Sequence, residues 1–298
     1  MTVIVPVYED LERLRLCLRL IAAQDYPREL IDVIVVDNAS RTDLRPALPV
    51  GDSRFRLIRE EKKGSYAARN AGLALATGEL VAFTDADCRP RPQWLSAAVA
   101  ALTVADPPHA VGGAIHVVFR DGHDPSTGPE FYEVVHGFPQ KSFVETEHFA
   151  ATANLVVTRA ALALVSSFDS DLQSGGDYDW GRRLYAAGGR LEYCEAAIVD
   201  HPSRATWREL TAKTVRVAKG DAALTAGQSL RQDLRELAPR ARTGITVWFS
   251  IWRWDWPPTV RHKASYAATL TWSAALETFV RLRCRLAERI RTIRARPV

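Results

Sequence analysis

From Thr2 onward, short apolar runs alternate with amphipathic stretches. Val3–Val7 is a run that predicts a buried strand. Leu11, Leu14, Leu18 and Ile21 then recur at helical spacing within 11–24. Asp32–Asp37 (DVIVVD) and Phe55–Arg59 predict the second and third strands. Ser65–Ala76 predicts an Ala-rich helix closed by Gly78. Leu80–Thr84 predicts a fourth strand that runs out on Asp85-Ala86-Asp87, followed by a helix over Gln93–Thr103 and a strand over Ala110–Phe119. This alternation marks βαβ units. The fold class it predicts is α/β: a Rossmann-like, mainly parallel central sheet flanked by helices.

Residues 120–150 hold Gly, Pro, His and aromatics without clear periodicity and read as a functional loop region. Order resumes at Ala151–Val157, followed by helices over Arg159–Val165 and Asp177–Ala187, the latter stopped by Gly188-Gly189. Glu192–Val199 reads as a final strand leading into Asp200-His201-Pro202. Beyond Thr206 the pattern is helical and basic, and no internal repeat is present.

The 298 residues, 47% of them hydrophobic, suffice for one large domain or one domain with an appendage. Net charge is +4, unevenly placed: Arg281, Arg283, Arg285, Arg289, Arg291, Arg294 and Arg296 face one acid, Glu288, so 281–298 carries +6 and the rest −2. Such an end suits an anionic partner (membrane lipid, nucleic acid or charged polymer), or is a solvated helix end. Cys17, Cys88, Cys194 and Cys284 form no CxxC pair, which fits a reducing cytosol. Thr2–Pro6 reads as strand and not as a signal peptide. Ala264–Phe279 falls short of the roughly 20 apolar residues a spanning helix needs. Trp248, Trp252, Trp254 and Trp256 cluster ahead of Trp272 and the basic end. They suit either a membrane interface or packing of the tail on the catalytic domain.

Ligands of open α/β sheets bind beyond the carboxyl ends of the strands. Three strand ends here are acidic or polar: Tyr8-Glu9-Asp10, Asp37-Asn38 and Asp85-Ala86-Asp87. Carboxylates gathered there repel each other unless a cation joins them, and an Asp-x-Asp pair suits Mg²⁺ or Mn²⁺ bridging to phosphates. No GxGxxG follows the first strand and no GxxxxGK[ST] occurs, which argues against a dinucleotide dehydrogenase or a P-loop enzyme.

VIVPVYED, IVVDNAS, KKGSYAARNAGLALATGE and FTDADC, in this order, resemble the inverting family 2 glycosyltransferases of GT-A fold, from Thr2 to about Leu224. The resemblance implies a catalytic domain over 1–224, with a donor half to about 119 and an acceptor half over 120–224. Residues 225–298 then form a helical, Trp- and Arg-rich extension. It implies that Pro6, Tyr8 and Glu9 border the nucleotide base, Tyr8 by stacking, and that Asp37 accepts from the base N–H. Lys63 and Arg69, with Asn70 nearby, lie along ribose and diphosphate. Asp85 faces ribose or metal waters, Asp87 ligates a divalent cation (Mn²⁺ or Mg²⁺), and His201 lies near the metal or diphosphate. Asp177, at a helix start that favours its ionised form, is the base. The family's usual acidic pair is here Gly176-Asp177, which leaves acceptor geometry open. Asn154 is available to a sugar hydroxyl; Asp179 caps the helix or touches acceptor.

The implied reaction moves a sugar from a nucleoside-diphosphate donor to a hydroxyl of a cell-surface glycan or lipid-linked acceptor. The enzyme would be cytoplasmic, peripheral at the membrane face, and without a nucleic-acid partner. Two rivals remain: a sugar-nucleotide nucleotidyltransferase, whose Gly-rich Arg loop is missing, and a non-catalytic nucleotide-sugar-binding protein of the same fold.

Overall fold

The computed structural model describes residues 1–119, 124–228 and 230–294, which divide into two compact units. The first comprises Met1–Val118, Phe138–Leu172 and Gly176–Pro202. It is built on an eight-stranded sheet of order β3-β2-β1-β4-β7-β6-β8-β5. β1 (Thr2–Val7), β2 (Asp32–Asp37), β3 (Phe55–Arg59) and β4 (Leu80–Phe83) pair in parallel. All six β1 residues are buried, because helices α1 (Leu11–Ala22), α2 (Ser65–Leu75) and α3 (Trp94–Leu102) cover the sheet. Pro6 is tolerated in this central strand because β4 has already ended there: pairing with β4 stops at Ile4↔Phe83. The carboxyl ends of β1, β2 and β4 therefore open on one side.

The sheet continues through β6 (Ala110–Val118), β7 (Leu155–Thr158) and β8 (Leu191–Pro202). β7 runs antiparallel to both β4 and β6, and β6 runs parallel to β8. β8 is longer than the expected Glu192–Val199 and keeps Asp200 and His201 within the strand. Its partner is the two-residue β5 (Arg89–Pro90), through Arg89↔Asp200 and Pro90↔Val199. Helices α6 (Arg159–Val165) and α7 (Gly176–Ala186) complete this unit.

Residues 120–150 differ from the expected loop. They hold α4 (Gly128–His136), the single turn α5 (Gln140–Ser142) and a π turn over Phe143–Glu147; residues 120–123 lie outside the described residues. The start of α4 is set locally: Thr127 and Glu130 form a capping box, and Pro129 occupies the first turn.

The second unit comprises Phe119–Gly137, Gln173–Gly175 and the chain from Ser203 onward. It is helical: α4, α8 (Trp207–Leu224), α9 (Leu230–Ser250) and α10 (Val260–Arg294), with α10 packing against the other three. Phe131, Val247, Ile251, Tyr266, Ala267 and Leu270 form its core. The arginine-rich end is only partly a surface feature. Arg281 is buried against Glu236, Asp221 and Glu277, and Arg285 against Ala222, Thr225 and Glu288. Arg296 and the side chains of Arg289, Arg291 and Arg294 lie outside the described residues. No helix among the described residues is long and apolar enough to cross a membrane.

Glu133 of α4 is buried and accepts from the Arg204 guanidinium and backbone N–H and from the Lys213 ammonium, each at 2.8 Å. Burial alone pushes this carboxyl up, but the adjacent Lys213 and Arg204 charges outweigh it and hold it at about 2. A depressed carboxylate stabilises the fold above its unfolded value, and that contribution is lost as pH falls from about 4.5 toward 2. Glu133→Gln removes the buried charge that Arg204 and Lys213 share and is expected to cost about 3 kcal/mol in urea unfolding at neutral pH. The variant's deficit should shrink across the same acid window.

Candidate active site

The carboxyl end of β4 leads into Asp85-Ala86-Asp87-Cys88, and the next residues form β5 on the edge of β8. This pairing brings the acidic turn to His201. Asp85, Asp87, Cys88 and His201 each offer a ligand atom within 4.8 Å of one another, so they could hold a metal ion. The His201 Nε2 lies 3.8 Å from an Asp87 oxygen, while Nδ1 lies 2.9 Å from the Pro202 carbonyl. A carbonyl only accepts, so Nδ1 carries a proton and Nε2 is the nitrogen turned toward Asp87. Arranged with Asp85, this nitrogen and carboxylate form a donor set of the kind that holds a cation. Burial, followed by the Asp87 and Asp85 charges, pushes the Cys88 thiol up, and the hard donors of the cluster are the two carboxylates and the imidazole. That set suits Mn²⁺ or Mg²⁺ better than a thiolate-seeking metal.

Positive charge approaches the same carboxylates from two sides. Arg13 of α1 lies 3.9 Å from Asp87. Arg69 of α2 is buried and ion-paired with Asp85. The Arg69 guanidinium also sits 5.5 Å from the centroid of the Tyr66 ring.

Tyr66, one helical turn earlier, carries the path to the second carboxylate. Its buried hydroxyl donates to Asp177 Oδ1 at 3.0 Å. That oxygen also accepts from the Tyr178 N–H at 3.0 Å, whereas Oδ2 has only a long contact with the Thr152 N–H, 3.4 Å. Asp177 is thus held by one oxygen, with the other less engaged. Beneath it, Phe168 packs on Tyr66, Phe83 and Trp180 with ring centroids 5.7, 5.3 and 5.8 Å apart.

This packing accounts for Gly176. A Cβ there would lie 2.8 Å from the Tyr66 ring, closer than real contacts allow. The ring occupies the space that the family's usual first acid would need. Gly176→Ala is expected to displace Tyr66 and, with it, Asp177, lowering turnover between about tenfold and a hundredfold. Initial rates at saturating donor would show this; a rate equal to wild type would mean the ring yields freely.

The nucleotide-side residues are placed as follows. Pro6 is buried in β1, Tyr8 is 54% exposed just beyond it, and Lys63 is exposed ahead of α2. Glu9 spans two strand ends, accepting from the Arg41 N–H (2.6 Å) and the Thr42 hydroxyl (2.7 Å); these bonds hold its carboxyl below the usual range. Asp37 accepts from the Ser40 N–H at 2.8 Å and from Arg59 at 2.7 Å. Asn38, read only as a polar strand end, holds the loop before α2 through Gly64 and Lys62.

Three candidates are engaged with partners inside the chain. Asn154 has no exposed surface; its amide donates to the Ala114 and Ala197 carbonyls (2.8 Å each) and its oxygen accepts from the Trp94 indole (2.7 Å). With those partners it clamps β6 to β8 beside the irregularity at Gly113, and its burial keeps it from a sugar hydroxyl. Asn70 spends both ends of its amide on the Phe168 backbone, at 2.8 and 3.0 Å. Asp179 pairs with Arg183 one turn along α7, 2.8 Å.

An acidic turn tied to a strand-borne histidine, with a separately held carboxylate at a helix start, agrees with what the chain is similar to. Residues 2–164 match the family described as Glycosyl transferase family 2. The chain belongs to that family. It is 35% identical over 225 residues to the glycosyltransferase AglE of Haloferax volcanii, covering 74% of this chain and 72% of that protein. It is 32% identical over 227 residues to the pre-mycofactocin glycosyltransferase of Mycobacterium tuberculosis, covering 71% of this chain but only 44% of that one. Among solved structures, a mannosyltransferase from Pyrobaculum calidifontis, in complex with GDP-Man and Mn²⁺, superposes with a TM-score of 0.63 at 22% identity, over 93% of this chain and 86% of that one. The likeness shows the shared GT-A fold. The chain is accordingly a glycosyltransferase that draws its sugar from a nucleotide-sugar donor.

Proposed function

We propose that this family 2 glycosyltransferase performs an inverting, cation-dependent transfer to a hydroxyl of a glycan or lipid-linked acceptor, at the cytoplasmic face of a membrane. The region to about residue 224 would carry the catalysis, with 225–298 as an extension. The observation that carries the reading is the facing pair of Asp87 and the His201 Nε2, 3.8 Å apart, in a cluster with Asp85. Asp87, Asp85 and His201 would hold the cation, which supplies neutralising charge for the departing diphosphate. Tyr8, Glu9, Asp37 and Lys63 would line the nucleotide. Arg69 holds Asp85 in place from below.

Inversion needs a carboxylate on the face of the sugar opposite the leaving group. Asp177 suits that role, with Oδ1 fixed by Tyr66 and the more weakly held Oδ2 placed to take the acceptor's proton. Four free cysteines support a reducing compartment. The test is a thermal-shift screen of UDP-, GDP- and dTDP-sugars with Mn²⁺, Mg²⁺ or EDTA. One donor should raise the melting temperature with cation and lose that effect in EDTA. If no donor does so under any condition, the reading falls and a non-catalytic binding role takes its place.

A further inference from the structure

Helix α10 has two contrasting sides. Its inner side carries the buried Tyr266, Leu270, Ala274 and Val280. Its outer side carries Trp272, Phe279, Leu286 and Ile290, exposed by 48, 61, 61 and 42%. Their spacing of seven, seven and four residues keeps them on one line, about 27 Å long at the helical rise. Helix α9 carries Ile245, Trp248 and Phe249 on a matching exposed side, continued by Trp252 in the short turn Ile251–Arg253, and Phe249 is 79% exposed. The Trp248 indole donates to Thr271 of α10 at 2.9 Å, which brings the two lines together beside Trp272.

The charges are sorted in the same way. Glu236 and Glu277 face the buried Arg281, and Glu288 faces the buried Arg285. Arg242, Arg253, Arg261 and Arg283 remain on the exposed surface, with Asp255 as a nearby exposed acid. Exposed tryptophan and phenylalanine bordered by arginine match the boundary between headgroups and acyl chains, where apolar rings enter and cations stay with phosphate. Among the described residues neither helix is long and apolar enough to cross a bilayer.

We infer that the α9–α10 face is a binding surface for an anionic lipid bilayer, on which these helices lie in the interfacial plane. This deepens the proposed reading of a membrane-located acceptor, yet it is measured without any transfer. The test uses the full chain and sucrose-loaded vesicles of phosphatidylcholine, with and without about one third phosphatidylglycerol. Wild-type protein should sediment with the anionic vesicles at least about tenfold more strongly than with neutral ones, and less so as salt rises. The triple variant Trp272→Ser, Phe279→Ser, Leu286→Ser should lose about tenfold or more of that binding while keeping its melting temperature. Undiminished binding by the variant would reduce the contact to charge alone and overturn the inference. So would a wild-type dimer in lipid-free ultracentrifugation that the variant abolishes, since a second copy would then cover the face. Should the variant not fold, tryptophan quenching of the wild type by brominated lipid decides: unquenched fluorescence overturns it. Donor-induced thermal shift is measured in parallel, so failure of the transferase reading and failure of the lipid surface remain separate results.

Discussion

Asp177→Asn is expected to lower sugar transfer by about 10²- to 10⁴-fold while leaving the donor-induced thermal shift at the wild-type level. The amide is nearly isosteric with the carboxylate, and its oxygen can still accept from Tyr66, so the helix start and the aromatic floor should persist. What is lost is a group able to take a proton. The amide nitrogen would moreover face the Thr152 N–H, donor against donor, on the side where the carboxylate is least engaged. Nucleoside-diphosphate release at saturating donor, with and without acceptor, measures the effect. A turnover within about threefold of wild type, at unchanged donor binding, would show that the base lies elsewhere.

The second large effect is at the other carboxylate. Asp87→Ala removes the oxygen that faces His201, and several kcal/mol of transition-state charge stabilisation should go with it, about 10³-fold in kcat/KM. Unlike Asp177→Asn, this variant should also lose the cation-dependent part of donor binding. Its rate should match that of the wild type in EDTA, and added Mn²⁺ should not raise it. A variant whose donor affinity still responds to cation would remove Asp87 from the ligand set. Side by side, the two variants separate proton transfer from leaving-group stabilisation.

Much of the first unit is legible in sequence because its strands are buried on both faces. Val3–Val7 and Asp32–Asp37 need no tertiary information to read as parallel strands, and Asp85-Ala86-Asp87 stands out as an acidic exit from one of them. Features made by pairing at a distance were not legible. Arg89–Pro90 is too short to carry a period, yet it delivers His201 to Asp87. Tyr66 reads as one more apolar position in an Ala-rich helix; only the folded chain shows its hydroxyl reaching Asp177, 111 positions away.

Asn154 and Asn70 show the reverse. Each is polar beside a motif, and only the hydrogen-bond partners reveal that its capacity is spent inside the protein. The same holds for Arg281 and Arg285, which composition assigns to a charged tail and burial assigns to the helix packing. The start of α4 was legible in principle. Thr127 and Glu130 have the capping-box spacing, but Gly128 and Pro129 between them suggest a loop.

The close approach of Tyr66 to Gly176 turns two positions into one choice. A second acid at 176 requires a smaller residue at 66, and a smaller residue there gives up the hydroxyl that steadies Asp177. Position 66 and position 176 can each supply Asp177 with a neighbour, but the volume between them admits only one. This chain has the neutral donor, so Asp177 stands beside a phenol instead of a second negative charge. A change of acceptor preference through this pair would thus have to pass through both positions together, since either replaced alone leaves a collision or a hole.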